Sequence, residues 1–156
     1  MSKQATYDTA ISQITAVLDG EDNMTARMAT ISCLLSEAFP ERFFWTGFYI
    51  VDAAQDNELV VGPYQGTLGC LRIQFGRGVC GAAASTLETQ IVEDVHAIQN
   101  HIACDGRTNS EIVVPVVDKL GNLLAVLDID STQFGAFDEI DRENLERLMA
   151  TIFANE

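Results

Sequence analysis

The chain has 156 residues, of which 47% are hydrophobic, and this composition excludes a chain too polar to build a core. Nine Lys and Arg against 23 Asp and Glu give a net charge of −14, which disfavours nucleic acid and a membrane surface as partners because both are anionic. The length predicts a single domain over residues 1–156.

The N-terminal part of the chain predicts two helices and then a hairpin. Apolar residues recur at helical spacing between residues 8 and 38, and the polar stretch Gly20–Asn23 interrupts them. The run Phe43–Val51 is rich in aromatic and β-branched residues and predicts a strand. A second strand, predicted over Glu58–Tyr64, would form a hairpin with it.

The rest of the chain predicts a sheet closed by a final helix. In order come a short strand at Leu71–Phe75, a glycine-rich loop running into a small-residue helix from Gly76, a brief strand at Ile91–Val92, a hairpin of Ser110–Val117 and Leu123–Asp130, and a helix capped by Asp138. Hairpin connections indicate an antiparallel sheet, so we expect an α+β fold whose helices cover one face.

Three cysteines, Cys70, Cys80 and Cys104, lie in turn-like stretches beside glycines, where free backbone amides can stabilise a thiolate. The N-terminus lacks an apolar signal region, so we expect a cytoplasmic protein, in which cysteines are more often reactive or buried than bridged. Cys33 lies inside the second predicted helix and is expected to pack. Thiol redox chemistry is therefore the first functional hypothesis.

Zinc binding is the other chemistry that cysteine and histidine suggest. The chain has no C-x-x-C pair and its two histidines are His96 and His101, so the spacing fits no closed set of zinc ligands. His101 could instead support a thiolate at Cys104. We therefore predict no metal site. The loop GRGVCG at Gly76–Gly81 lacks the lysine and hydroxyl of a phosphate-binding loop and predicts a tight turn.

Asp128 and Asp130 lie two residues apart on a predicted strand and so point to the same face, and Glu111 opens the neighbouring strand. Three clustered acids raise one another's pKa values, so one of them could stay protonated and donate a proton to a substrate oxygen. The cluster could also hold a substrate ammonium group. The alternative is that Asp130 caps a turn and the other two acids are solvated.

Trp45 and Tyr49 are four residues apart on one strand and share a face. They could wall a small pocket that holds an S-methyl group, or they could simply be core residues, as we expect for Phe48.

From about Tyr7 to Phe153 the chain resembles the free methionine-(R)-sulfoxide reductases, which are stand-alone GAF-domain enzymes. The resemblance is carried by six segments in order: WTGFY (Trp45–Tyr49), GPYQG (Gly62–Gly66), GRGVCG (Gly76–Gly81), HIACD (His101–Asp105), SEIVVP (Ser110–Pro115) and LDIDS (Leu127–Ser131).

The resemblance implies a GAF fold with a six-stranded antiparallel sheet, and reduction of free L-methionine (R)-S-oxide to methionine without a metal, flavin or nucleotide. It implies thioredoxin as reductant and a homodimer, to which the apolar first helix could contribute. By motif, Cys104 would attack the substrate, Cys70 would resolve the product, and Cys80 would be an auxiliary thiol. The implied substrate-site residues are Glu111, which is also the first candidate proton donor, Asp128, Asp130, Trp45 and Tyr49.

Three other functions stay open on the sequence. A GAF module can bind a small molecule without turnover, although an acidic pocket suits a phosphate poorly. A redox sensor would oxidise Cys70 and Cys104 without acting on a sulfoxide. A structural dimer module would use its cysteines for packing alone.

Overall fold

The computed structural model describes residues 1–102 and 104–156. Over these residues the elements are, in order, α1 (Lys3–Val17), α2 (Met24–Ala38), β1 (Trp45–Val51), β2 (Glu58–Gln65), β3 (Arg72–Gln74), α3 (Gly78–Thr86), β4 (Gln90–Val92), a 3-10 turn (Val95–Ala97), β5 (Ser110–Val117), β6 (Leu123–Ser131) and α4 (Glu139–Ile152). The predicted elements are all present, with ends that differ by a few residues. No helix in the described part of the chain is long and apolar enough to cross a membrane.

Side-chain caps mark where α2 and α4 begin. Asn23 accepts a hydrogen bond from the backbone N–H of Ala26 and starts α2, and Gly20 turns the chain before it with a φ of 75°. Asp138 and Asp141 form a reciprocal capping box at the start of α4, which confirms the predicted cap.

The six strands form one antiparallel sheet in the order β3-β2-β1-β6-β5-β4. The α+β prediction with a six-stranded antiparallel sheet is thus confirmed. The two longest central pairings are β1 with β6 and β6 with β5, so β6 is hydrogen-bonded on both sides. The register of β6 with both neighbouring strands therefore fixes the positions of its side chains along the sheet.

The two faces of the sheet have different roles because side chains alternate along each strand. One face carries Phe48, Leu127 and Ile129, all fully buried against α1, α2 and α4 in the larger core cluster. The opposite face carries Trp45 and Tyr49 and is covered by α3 together with the loops before and after it. The sheet therefore separates a structural core from a second compartment.

Helix α1 packs within its own chain. Tyr7, Ala10 and Ile14 are buried in the core, whereas Val17 is 59% exposed, so most of the apolar side of α1 is occupied within the chain. Dimerisation itself stays a prediction.

A buried carboxylate ties the N-terminus to the final helix. Asp141 is fully buried and accepts hydrogen bonds from the Tyr7 hydroxyl at 2.7 Å, the Lys3 ammonium at 2.6 Å and the backbone N–H of Asp138 at 2.8 Å. Removing one member of such a network leaves other buried polar groups without partners.

We expect Asp141→Ala to lower the free energy of unfolding by about 3 kcal/mol, because the Lys3 ammonium and the Tyr7 hydroxyl lose their common acceptor. Urea denaturation followed by circular dichroism measures the change. Asp19→Ala, at an exposed position, is the matched control and should change stability by less than about 0.5 kcal/mol. Equal stability of the two variants would contradict the proposed tether.

Candidate active site

Two of the predicted cysteines are joined. Cys70, in the loop between β2 and β3, forms a disulfide with Cys104, in the loop between β4 and β5, with their Cα atoms 5.5 Å apart. That separation is within the ordinary range for a disulfide. Cys104 is exposed and Cys70 is half-buried, so the bridge lies at the protein surface.

A pocket opens beneath this disulfide, between α3, the two loops and the second face of the sheet. Seven of the eight predicted site residues line it: Trp45, Tyr49, Cys80, Cys104, Glu111, Asp128 and Asp130. The eighth, Cys70, is bonded to Cys104. Residues that are up to 85 positions apart in the chain thus meet in one place.

The acid cluster lies in the wall of the pocket, and the strand register explains why. Glu111 on β5 is paired with Asp130 on β6, and Asp128 lies one step along the same face. Glu111 and Asp128 are each 5% exposed, while Asp130 is half-buried. The alternative in which Glu111 and Asp128 are solvated is therefore wrong.

Burial is the main cause of unusual acidities in this cluster. Burial, and next the charge of Asp130, raises the pKa of Glu111 to about 8. Burial and the neighbouring Glu111 raise the pKa of Asp128 well above its ordinary value, and burial together with Asp128 does the same for Asp130. The cluster therefore retains protons near neutral pH, and because the groups are coupled the protons belong to the cluster as a whole.

One oxygen of the cluster has no partner. Asp128 Oδ1 is buried and makes no hydrogen bond within the described part of the chain. An unsatisfied buried carboxylate oxygen is costly, and it lies in a pocket wall where a bound molecule could satisfy it.

His101 contacts the acid cluster. Its Nε2 lies 3.4 Å from Glu111 Oε2, and burial lowers the pKa of the imidazole. The sequence paired His101 with Cys104 because the two are neighbours along the chain, whereas the structure pairs it with a residue ten positions away.

Cys80 lies in the first turn of α3 and is 4% exposed. Its Sγ donates to Glu111 Oε1 at 3.9 Å, and burial, followed by the charges of Asp128 and Glu111, raises the pKa of the thiol well above its ordinary value. A thiol of this kind is a poor nucleophile. The fourth cysteine, Cys33, is half-exposed on α2, on the far side of the sheet.

Trp45 and Tyr49 form an aromatic wall of the pocket, and Trp45 also contacts the β2–β3 loop that carries Cys70. Trp45 stacks on Tyr49 with ring centroids 5.6 Å apart, and its indole N–H donates to the backbone carbonyl of Thr67 at 2.9 Å. Gly69 approaches the indole so closely that a Cβ there would lie 2.9 Å from the ring. The shared face predicted for Trp45 and Tyr49 is confirmed.

A second connection between the two cysteine loops was missed by sequence reasoning. The Thr67 hydroxyl donates to Asp105 Oδ2 at 2.8 Å, and Asp105 also pairs with Arg107 at 2.7 Å. These bonds hold the pKa of Asp105 below its usual range, the largest contribution coming from Arg107. Asp105-Gly106 is a recognisable turn signal, but no local pattern indicates Thr67 as its partner.

The tight turn predicted from GRGVCG is confirmed. Gly76 and Gly78 have φ values of 82° and 61°, and a Cβ at Gly81 would lie 2.5 Å from the backbone oxygen of Gln74. These glycines let α3 start close to the sheet and bring Cys80 into the pocket.

Comparison with known proteins identifies the family. The GAF domain family matches residues 35–153. The free methionine-R-sulfoxide reductase of Saccharomyces cerevisiae is 42% identical over 155 residues, which cover 97% of this chain and 86% of that protein. This chain belongs to the free methionine-R-sulfoxide reductase family. The Escherichia coli free methionine-R-sulfoxide reductase is 43% identical over 152 residues, which cover 97% of this chain and 89% of that protein.

A solved structure of the same family has the same fold. The free methionine-R-sulfoxide reductase of Neisseria meningitidis, determined in complex with its substrate, has a TM-score of 0.93 and 42% identity, covering 99% of this chain and 90% of that chain. The GAF fold implied by the sequence resemblance is confirmed.

The raised pKa of Glu111 predicts a pH-dependent stability. Its pKa is about 8 in the folded protein against 4.5 for the unperturbed group, so the folded state binds the proton more tightly. The resulting stabilisation is fully present below pH 4.5 and is lost as pH rises through about 8. We expect the free energy of unfolding of the disulfide form to fall across this window, and to fall less steeply in Glu111→Gln.

Urea denaturation under non-oxidising, non-reducing conditions at several pH values measures this slope. Glu88→Gln, at an exposed glutamate, is the control and should keep the slope of the unmodified protein. Identical slopes for Glu111→Gln and the unmodified protein would show that Glu111 does not hold the proton in the folded state.

Proposed function

We propose that this protein reduces free L-methionine (R)-S-oxide to L-methionine by thiol chemistry at Cys104 and Cys70. The observation that carries the proposal is the disulfide between these residues at the mouth of a pocket with a buried, proton-retaining acid cluster. Membership of the free methionine-R-sulfoxide reductase family supports it.

The first chemical step uses the reduced form of the pair. The sulfur of a sulfoxide becomes electrophilic when its oxygen accepts a proton, and Glu111, whose pKa is about 8, is suited to donate one at neutral pH. The Cys104 thiolate then attacks the sulfur. The new bond between the two sulfurs then breaks as the protonated oxygen transfers to the Cys104 sulfur, so that methionine leaves and Cys104 is left as a sulfenic acid.

The second step forms the disulfide that the structure contains. The Cys70 thiolate attacks the sulfenic sulfur of Cys104, the S–S bond forms, and the oxygen departs as water after taking up a proton. The 5.5 Å between the two Cα atoms supports direct condensation without a relay through Cys80. Cys80, with its buried, acid-flanked thiol, is proposed as an auxiliary group beside Glu111.

Thioredoxin is the proposed reductant of the disulfide. Its low reduction potential makes thiol–disulfide exchange with an exposed bridge favourable, and the exposure of Cys104 supports access by a protein thiol. The electrons come through thiols, so the proposed reaction needs no metal, flavin or nucleotide. The homodimer implied by the resemblance and the cytoplasmic location stay predictions.

The acid cluster and the aromatic wall are the proposed recognition elements for the free amino acid. The unpartnered Asp128 Oδ1 can accept a hydrogen bond from the substrate ammonium, and Asp130, two residues along the same strand, lies beside it as a further acceptor. A peptide-bound residue has no ammonium and would leave these groups unpaired, which is costly in a buried site. Trp45 and Tyr49 offer an apolar wall for the S-methyl group.

The cysteine roles are tested by two substitutions. We expect Cys104→Ser to lower thioredoxin-coupled turnover at least about a thousandfold, because it lacks the nucleophile. Cys70→Ser should still release one methionine per protein molecule in a single-turnover assay, but should lose thioredoxin-coupled turnover because no internal disulfide forms. NADPH oxidation through thioredoxin reductase and chromatography of methionine give the two readouts.

Cys33→Ser is the matched control for both cysteine variants, since Cys33 lies on the far side of the sheet and should be dispensable. If the unmodified protein reduces no sulfoxide with thioredoxin or with dithiothreitol, the proposed function is wrong and a ligand-sensing or redox-sensing module takes its place. Full activity of Cys104→Ser would refute the assignment of the nucleophile.

The ammonium site is tested by Asp128→Asn. We expect kcat/KM for free methionine (R)-sulfoxide to fall about 10- to 100-fold, because the amide cannot neutralise the ammonium. Activity on the N-acetylated substrate, which has no ammonium, should change much less. Asp56→Asn, an exposed change in the β1–β2 turn, is the control. Equal losses on both substrates would argue against ammonium recognition by Asp128.

A further inference from the structure

Cys80, Glu111 and Asp128 form a compact group of potential metal ligands that the proposed reaction does not fully use. The Cys80 sulfur and one oxygen from each carboxylate all lie within 4.8 Å of one another. The three residues are 4%, 5% and 5% exposed, so they form a buried triad and not a solvated acidic patch. Sequence reasoning predicted no metal site because the chain has no C-x-x-C pair and its two histidines complete no closed set of zinc ligands.

Among the described residues, no lysine or arginine forms an ion pair with the triad. Glu111 has an ion-pair contact with His101, and among the described residues neither Asp128 nor Asp130 forms an ion pair with a lysine or arginine. Asp128 Oδ1, on a residue that is 95% buried, has no hydrogen-bond partner in the described part of the chain and belongs to a side chain that lines the pocket. This unpartnered oxygen, which is also the proposed acceptor for the substrate ammonium, is an indication separate from the spacing of the triad that a positively charged ligand binds here.

We infer that the pocket binds a zinc ion through Cys80, Glu111 and Asp128. Zinc takes thiolate sulfur at about 2.3 Å and carboxylate oxygen at about 2.0–2.2 Å, which places tetrahedral ligand atoms roughly 3.5 Å apart. The Cys80 sulfur lies 3.9 Å from Glu111 Oε1 and the three ligand atoms all lie within 4.8 Å of one another, so the separations must close by up to roughly 1.3 Å to reach that spacing. Three protein ligands leave a fourth position open to water or to a small molecule.

The mixed ligand set selects among cations. Magnesium and calcium prefer oxygen ligands alone, whereas a thiolate beside two carboxylates favours zinc and cobalt. Binding requires that the Cys80 thiol and any protonated carboxyl release their protons to solvent, and no electron is transferred. The disulfide between Cys70 and Cys104 is not a ligand, so the oxidised protein keeps the triad intact.

The inferred site would make zinc an inhibitor, and this consequence rests on the proposed function. A zinc ion on Glu111 and Asp128 occupies the carboxylates proposed to polarise the sulfoxide and to hold the ammonium. Zinc should therefore compete with free methionine (R)-sulfoxide, whereas zinc binding itself needs no reductase activity.

The disulfide form of the full chain gives the sharpest test, because Cys70 and Cys104 can then not bind metal as thiols. Isothermal titration with zinc should show one saturable site per chain, and cobalt should give a near-ultraviolet band from thiolate-to-metal charge transfer. We expect Cys80→Ser to weaken zinc binding at least about tenfold and to abolish the cobalt band. Cys33→Ser is the matched control, since it removes the other free thiol, and should leave both signals unchanged.

The inference would be overturned by the absence of saturable zinc binding to the disulfide form, by equal affinity in Cys80→Ser and the unmodified protein, or by loss of the cobalt band in Cys33→Ser. Magnesium should not displace the zinc, and displacement at equal concentration would likewise contradict a thiolate ligand. Circular dichroism of Cys80→Ser confirms that the variant is folded, and Cys80→Ala provides a second variant if it is not.

A turnover assay with dithiothreitol as reductant, at zinc concentrations in excess of the reductant's own chelation, then tests inhibition separately. We expect zinc to raise the KM for the free sulfoxide and chelation to restore it. If the protein binds zinc but its zinc-free form does not reduce the sulfoxide, the proposed function is refuted and the metal site stands. If the protein reduces the sulfoxide but does not bind zinc, the metal site alone is refuted.

Discussion

The pairing of β5 with β6 is the constraint on which the rest of this structure depends. Its register places Glu111 opposite Asp130 and keeps Asp128 on the same face, while Ile129 and Leu127 enter the core on the other side. A shift of one residue would exchange the two faces and drive the carboxylates into the apolar core. The hydrophobic core on one face of the sheet therefore specifies the position of the acid cluster on the other face.

Burying three carboxyl groups together costs free energy, and this cost is located at the candidate active site. Buried acids repel one another and raise the pKa values of Glu111, Asp128 and Asp130, so the folded protein stores protons and unsatisfied acceptors where most proteins would place paired groups. Such an arrangement reduces stability and is tolerated where a ligand or a reaction uses it. A substrate ammonium or a metal ion would each supply a positive charge next to these buried carboxyl groups.

The two cysteine loops are joined by one covalent and one noncovalent link. The Cys70–Cys104 bond connects them beside the pocket, and the Thr67–Asp105 hydrogen bond connects the same two loops. The Trp45 indole in turn holds Thr67 against β1. The Thr67–Asp105 bond does not involve a sulfur atom, so the proposed reduction of the disulfide does not itself break it.

Much of this molecule is determined by local sequence pattern. Alternation along Leu123–Asp130, the break at Gly20–Asn23 and the Asp138 cap identify strands and helices through short-range rules, and the ordered motifs identify the family. Only tertiary structure decided that His101 contacts Glu111, that Thr67 bonds to Asp105 and that Cys80 joins two carboxylates in a buried triad. The alternation of a strand is visible in residues that are neighbours in the sequence. Contacts between distant loops depend instead on strand register and on glycine turns that bring the loops together. No local sequence pattern encodes that arrangement.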